Sequence, residues 1–366
     1  LNPFTLGTLP VQYAGSRCAY TWDGENTTDW ECRNSGTVSH IYKDFTIPEG
    51  DNTLDLSFYY KIRWINTAAH KSSLRIYIIP DSIIPVANEM IWATPICGPY
   101  DATNSAWVNQ RKILSGNSGT LRLVFSIMIQ PDDFPGPQEP VALDNIKLIS
   151  KGPLIGSKTI QPGGDFETFK DAVDELNLVG VGSGGVTFNV QAGQTFNTTI
   201  PTSVQSVYSI ASIGSLANPI VFQKSGSGAN PKLNIKGHSN GAKGISLSGA
   251  NYMTFDGIDI NDDGSSEADW VDFGFYIYSS SNITVKNCTI DLSRHNVQSI
   301  GVKSQGAETG NNNNKFYNNT IQDAFNGYYF SSGVVYDQNN EIGTDGIRGT
   351  SIIRDIGSYN TDDVPV

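Results

Sequence analysis

The chain has 366 residues, of which 38% are hydrophobic and 16% charged, with 37 glycines. That balance excludes a disordered chain and leaves room for two domains and a generous core. The net charge of −12 argues against nucleic acid or an anionic membrane surface as partner, because no basic stripe exists to neutralise phosphates. No apolar run reaches about 18 residues, so no membrane insertion is expected.

Taken in order, residues 1–150 carry no repeat. Cys18 and Cys32 flank a polar, Trp-containing loop and can either pair or stay as two free thiols. Cys97 stands alone, and with no Cys-x-x-Cys spacing the four cysteines do not make a zinc site. Strand-like runs recur at His40–Phe45, Leu54–Tyr60, Leu74–Ile79, Leu121–Ile127 and Val141–Leu148. Turn-formers separate them, as in Pro48-Glu49-Gly50-Asp51-Asn52 and Ser115-Gly116-Asn117-Ser118-Gly119. This pattern predicts an antiparallel β-sandwich.

Residues 151–157 read as a short Gly/Pro/Ser linker. The one convincing helix follows, with Phe169, Ala172, Val173 and Leu176 on one face, a Thr168–Asp171 capping pair and Gly180 as its stop. Placed ahead of a repeat, such a helix covers the first rung, whose apolar interior and strand edges would otherwise meet water.

From residue 158 to residue 366 the chain is expected to repeat itself. Lys243–Ile260 and Phe273–Ile290 say nearly the same thing twice, and Gly244, Gly274, Gly301 and Gly327 mark successive copies, with Asp345-Gly346-Ile347 as a possible further start. Short runs such as Phe-Tyr-Ile-Tyr and Ile-Thr-Val alternate apolar with polar, the period of a strand with one buried face. Short strands in a turn of some twenty to thirty residues, with no intervening helix, predict a parallel β-helix. Asn251, Asn282 and Asn314 are expected at corners, in left-handed conformation and bonded to their copies in the next rung. The repeat is still running at Val366, so the chain is expected to be a piece of something longer, with the β-helix incomplete at its C-terminal end.

Residues with chemistry are sparse. Asp272, Arg294, His295 and Lys303 are the candidates for a catalytic site, against the simpler reading of a solvated corner. Asp259, Asn261, Asp263 and Gly264 match the first half of a calcium loop, but position twelve is Trp270 where a bidentate Glu is needed. Tyr276, Tyr278, Tyr328 and Tyr329 come from equivalent rungs; strand alternation lets only some face out, where they would form a ladder able to lie against sugar rings. Cys288 takes the place of Ile258 in the repeat and reads as a small buried hydrophobe.

Two resemblances add to this. The Leu-x-Leu-x-Phe-x-Tyr run Leu54–Tyr60, Trp107, the Leu-x-Leu-x-Phe run Leu121–Phe125 and the closing Ala142-Leu143-Asp144-Asn145-Ile146 resemble MAM-like or cleaved-adhesin jelly-roll modules of secreted proteins from Bacteroidota-type bacteria. This likeness spans Gly36–Leu148. It implies a structural calcium near Asp144, with Asp23, Glu25 and Asp29 as candidate partners. The helix, then Val186-Thr187-Phe188-Asn189-Val190, Ala192-Gly193-Gln194-Thr195-Phe196 and Asn218-Pro219-Ile220-Val221-Phe222-Gln223, is similar to the start of pectin-lyase-like right-handed β-helices. The polygalacturonase-like catalytic series is not present as a set. The expected fold is therefore all-β: a jelly-roll β-sandwich, then a right-handed parallel β-helix with one N-capping α-helix. The expected role is a non-catalytic module of a large secreted or cell-surface adhesin, attaching to glycans, surfaces, partner proteins or further modules of its own chain, in gliding or biofilm formation. The alternative is a polysaccharide lyase or hydrolase with a carbohydrate-binding accessory domain.

Overall fold

A computed structural model describes residues 4–7, 18–21, 37–62, 73–101, 106–129, 141–238, 241–306, 310–331, 335–343 and 352–353. The chain divides into two compact units, Leu1–Gly152 and Pro153–Val366.

The first unit is built from β1 (Phe4–Gly7), β2 (Cys18–Thr21), β3 (Thr37–Ile47), β4 (Thr53–Ile62), β5 (Ser73–Pro80), β6 (Cys97–Tyr100), β7 (Val108–Ser115), β8 (Gly119–Ile129) and β9 (Val141–Lys151). They form two antiparallel sheets, in the orders β1-β2-β9-β4-β7 and β3-β8-β5-β6. Alternation explains the sandwich. Leu56, Phe58, Tyr60 and Ile62 of β4 point inward at every second position and meet Leu74, Ile76, Phe125 and Ile127 from the other sheet. On the far face of the second sheet the loop after β5 is tied down by Arg122. Its guanidinium donates to both Asp44 carboxylate oxygens at 2.6 and 2.8 Å and to the Ile83 carbonyl.

The second unit begins with a strand where a linker was expected: β10 (Leu154–Ile160) pairs in parallel with Val181–Gln191. Composition misleads here because Gly156 and Ser157 occupy pleat positions of an end strand, and the Lys151–Gly152–Pro153 junction alone separates the units. Helix α1 (Phe169–Val179) follows β10. Thr168 caps it, its hydroxyl accepting from the Asp171 amide while the Asp171 carboxylate accepts from the Thr168 amide, and Gly180 closes it with φ of 71°.

Three parallel sheets then wind through about six turns. The first holds β10, Val181–Gln191, Ile220–Ser225, Asn251–Asp256, Ser281–Lys286, Lys315–Tyr317 and Glu341–Gly343. The second holds Thr195–Thr199, Lys232–Lys236, Asp259–Asp262, Thr289–Asp291, Thr320–Gln322 and Ile352–Ile353. The third holds Tyr208–Ile210, Lys243–Ser248, Phe273–Tyr278, Ile300–Gln305 and Asn326–Ser331.

In-register stacking places like on like. Phe188, Phe222 and Phe255 pair directly across the first sheet, with ring centroids 4.4 and 5.4 Å apart and planes nearly parallel. Phe169 of α1 lies 5.0 Å from Phe222 and edge-on to Tyr208, so the helix closes the aromatic column as its amphipathic face predicts.

The corners follow a rule different in detail from the sequence expectation. The left-handed residue is Tyr252, Asn282, Asn313 or Asn339 in successive rungs, with φ between 52° and 59°. Asn282 is as expected, but Asn251 pairs with Ser281 and is not among the left-handed residues, nor is Asn314. Asn314 instead is fully buried and its side-chain oxygen accepts from the Ile283 amide of the preceding rung, at 2.9 Å. Asn319 does the same for the Cys288 amide at 3.1 Å, and the Cys288 sulfur does so for the Ile258 amide at 3.4 Å. Corner amides cannot join the ladders, and burial without a partner would cost about 1–3 kcal/mol each, so each rung's side chain satisfies the one before. Cys288 is thus more than a small hydrophobe, and burial pushes its thiol up to about 12. The further copy at Asp345-Gly346-Ile347 lies outside the described residues.

Candidate functional site

The outward face of the third sheet gathers the groups with unspent binding capacity. Along Phe273–Tyr278 and its neighbours, Ile245, Phe275 and Val302 stack inward, while the column Ser246, Tyr276, Lys303 and Tyr329 lies on the opposite parity. Rungs rise by about 4.8 Å, so side chains 26 to 30 residues apart in sequence become neighbours. The Lys243 Nζ sits 4.1 Å from the Tyr276 ring centroid. The Lys303 Nζ sits 4.5 Å from that of Phe273, 5.8 Å from Tyr276 and 6.0 Å from Tyr329. Tyr276 and Tyr278 are parallel at 6.4 Å, and the Tyr276 hydroxyl donates to Gln305 at 3.2 Å.

Among the described residues neither lysine forms an ion pair with a carboxylate. The Lys243 ammonium donates to the side-chain oxygen of Gln205, at 2.6 Å, and burial, then the nearby Lys303 charge, lowers its pKa. Two like charges held over rings, in a chain of net charge −12, make a local cationic spot ready for an anion. Of the four tyrosines considered from sequence, Tyr276, Tyr278 and Tyr329 belong to this face, whereas Tyr328 packs against the core.

The four sequence candidates for catalysis do not form one constellation. Lys303 belongs to the ladder just described. Asp272 is buried at the preceding corner, its two oxygens accepting from the Ala242 amide at 3.1 Å and from the Asn296 side chain at 2.8 Å. Arg294 ion-pairs with Asp323, and His295 stacks on Trp270 at 6.4 Å. Asp272 and Arg294 serve the corners, where charges and hydrogen bonds hold the turns.

Sequence reasoning missed Asp262, whose signal was only a run of acids. Its oxygens accept from the Gly264 and Val271 amides at 2.8 and 3.1 Å, stapling the loop between the second and third sheets. Burial, reinforced by Asp269 and Asp272, pushes its carboxyl up to about 7. Because folding disfavours the ionised form, this group costs nothing below its ordinary value of 3.8 and removes stability as pH rises from 3.8 towards about 7. Asp269 has the opposite sign, held down at about 2 by the Ser266 amide, and acts only on the acid side of that window. The unfolding temperature relative to an Asp262→Asn variant is therefore expected to fall as pH rises from 3.8 to about 7. Parallel curves for the two proteins would remove Asp262 as the cause.

The calcium candidates fare differently from one another. Asp259–Asp262 is a strand of the second sheet, not a loop, so its ligand series is not wrapped around a centre. The Asp259 carboxylate accepts from Asn230 and from the Thr289 amide, at 2.8 and 2.7 Å. Asn261 donates to Asn234 at 2.7 Å, which donates to Asn197 at 2.9 Å, an amide ladder along the sheet. Asp263 is exposed beyond the strand end. Asp144 is buried in β9, where it accepts from the Asn145 amide at 2.6 Å. Its suggested partners Asp23, Glu25 and Asp29 lie outside the described residues, as does Cys32, the suggested partner of Cys18. Among the described residues no group of three or more His, Cys, Asp or Glu gathers as for a metal.

Residues 221–353 match the family described as "Right handed beta helix region". The second unit is a right-handed β-helix. No curated protein sequence matches the chain. Among solved structures, the catalytic domain of a GH87 α-1,3-glucanase variant in complex with nigerose is matched over 93% of this chain and 64% of its own length, at 16% identity and a TM-score of 0.25. The CBM22-1 xylan-binding domain of Paenibacillus barcinonensis Xyn10C is matched over 42% of this chain and 85% of its own length, at 12% identity and a TM-score of 0.24. The CBM22-1-GH10 modules of Clostridium thermocellum endo-1,4-β-D-xylanase 10B, complexed with xylohexaose, are matched over 51% and 34%, at 11% identity and a TM-score of 0.25.

Proposed function

We propose that the β-helix is a non-catalytic binding module for an anionic polysaccharide, laid along the outward ladder of the third sheet, in a secreted or surface-exposed bacterial adhesin. The observation that carries this reading is the pair Lys243 and Lys303, held over Phe273 and Tyr276 without a carboxylate partner among the described residues. Aromatic faces take the apolar side of a sugar ring, and the ammonium groups take its carboxylate or sulfate. Successive rungs repeat that offer along the helix axis, so a polymer gains where a monomer would not. The jelly-roll resemblance of the first unit supports the adhesin setting.

Electrophoresis through gels containing polygalacturonate tests the reading. The parent chain is expected to be retarded. Tyr276→Ala and Lys303→Gln are each expected to weaken binding about tenfold, or about 1.4 kcal/mol, and added salt to weaken it further. Equal retardation by a neutral glucan, with no effect of either substitution, would contradict it.

A polysaccharide lyase or hydrolase is the second reading. It is favoured by Asp262, a carboxyl raised to about 7 in the corner next to the ladder, in the range a general acid needs.

A further inference from the structure

The first unit holds a feature that the glycan reading does not use. The run 81–96, between β5 and β6, carries its apolar residues on the outside. Trp92 is 98% exposed and Ile84 64%, with Ile83, Val86 and Met90 about half exposed. Ile91 turns the other way and packs on Tyr77, Ile79 and Val124, on the outer face of the second sheet. A loop shaped by folding alone would place polar side chains outside and the large apolar ones beneath.

The run is held in this form along its length. The Ile83 amide donates to the Pro80 carbonyl at 3.0 Å, and the Asn88 amide to the Val38 carbonyl at 2.8 Å. The Nε2–H of His40 is shared between the Val86 and Glu89 carbonyls, at 3.2 and 3.1 Å. The Ile96 amide closes the run on the Ile76 carbonyl at 2.8 Å. A surface fixed in this way leaves little ordering cost for binding.

Charge and area decide what such a surface takes. Between Asp81 and Ile96 there is no Lys or Arg, only the carboxylates of Asp81 and Glu89. In a chain of net charge −12, that sets the run against an anionic surface. The five side chains offer roughly 600 Å², short of the roughly 800 Å² per partner that a stable protein interface buries. A glycan stacked on Trp92 would lay hydroxyls over Ile83, Ile84, Val86 and Met90 without hydrogen-bond partners. An uncharged lipid surface needs neither a groove nor such partners, and Trp among aliphatic side chains suits the headgroup boundary.

We infer that the run 81–96 docks the first unit on a zwitterionic lipid surface, with Trp92, Ile84 and Val86 reaching the headgroup boundary. This is docking by a loop and not a span: among the described residues no helix is long and apolar enough to cross a membrane. The loop is independent of the β-helix ladder, so the two readings stand or fall separately.

The test mixes the full chain with phosphatidylcholine vesicles and reads the fraction of protein that floats with them. Flotation is expected, undiminished by salt, and weaker when phosphatidylglycerol replaces part of the lipid. Trp92→Ser, and separately the pair Ile84→Ser with Val86→Ser, are each expected to weaken partition about tenfold or more. Leu216→Ser, 85% exposed on the second unit, is expected to float like the parent. An unchanged unfolding temperature confirms that each variant folds. No flotation, stronger flotation with phosphatidylglycerol, an equal loss in Leu216→Ser, or Trp92→Ser floating like the parent would each overturn the proposal. So would a dimer in sedimentation velocity, without vesicles, that Trp92→Ser dissociates, because a second copy would then be the occupant.

Discussion

Phe222→Ala is expected to destabilise the β-helix by about 3–5 kcal/mol. Phe222 is fully buried and touches three aromatic neighbours: Phe188 at 4.4 Å below, Phe255 at 5.4 Å above and Phe169 of α1 at 5.0 Å from the side. Removing the ring leaves a cavity that stacked rungs cannot close, because each backbone is fixed by ladders on both sides. It also unseats the helix that covers the end of the core. Hydrogen exchange read strand by strand separates this unit from the sandwich, and is expected to show lost protection from Val181–Gln191 through Asn251–Asp256 while the first unit is unchanged. Protection lost equally in β4 and β8 would mean the two units do not unfold separately.

Gly274→Ala is expected to be nearly as damaging, by about 1–3 kcal/mol or more, for the opposite reason. A Cβ there would lie 2.5 Å from the Gly301 carbonyl oxygen and 2.5 Å from the Ile290 side chain. The same holds for Gly244 against Gly274 and for Gly301 against Gly327, so the column is a place where backbones pass too close for any side chain. Ser248→Ala, at an exposed position on the same sheet, is the control and is expected to change the unfolding midpoint little. Gly274→Ala as stable as this control would show that the rungs can part at no cost.

That glycine column is what made the fold legible. Gly244, Gly274, Gly301 and Gly327 recur in sequence because they are stacked in space, and the alternation around them gives the strands their buried face. The cap of α1 was equally open to reading, since capping is local chemistry: Thr168, Asp171 and Gly180 each act within a few residues. What sequence hid was non-local or weakly patterned. β7 is an edge strand whose Val108–Ser115 run is mostly polar and half exposed, so it carries no clean alternation. β10 reads as a linker because a strand at the end of a solenoid needs apolar residues on few of its positions. Of the corner asparagines, Asn282 turns as expected, whereas Asn251 and Asn314 each lie one residue from the turning positions Tyr252 and Asn313, which only the pairing between rungs reveals.

The candidate site shows the same division. Tyr276 and Tyr329 were visible as repeated aromatics, but the lysines were not linked to them. Lys243 reaches Tyr276 in the next rung because the strand changes parity at Gly244, and Lys303 returns from the rung after. Asp272, Arg294 and His295 looked reactive as a sequence cluster, and the fold separates them into a capped corner, an ion pair and a ring stack. Sequence proximity is a poor guide in a solenoid, where neighbours in space are one whole turn apart.

The most direct measurement is titration calorimetry of the full chain with polygalacturonate, run beside an assay for new reducing ends and unsaturated uronates on the same samples. The account predicts saturable heat that diminishes with salt and with Lys303→Gln, and a polymer recovered at its original length. Heat accompanied by depolymerisation that Asp262→Asn abolishes would replace the binding module with an enzyme. No heat at low salt would contradict the account outright, since Lys243 and Lys303, without a carboxylate partner among the described residues, would then have no anion to hold.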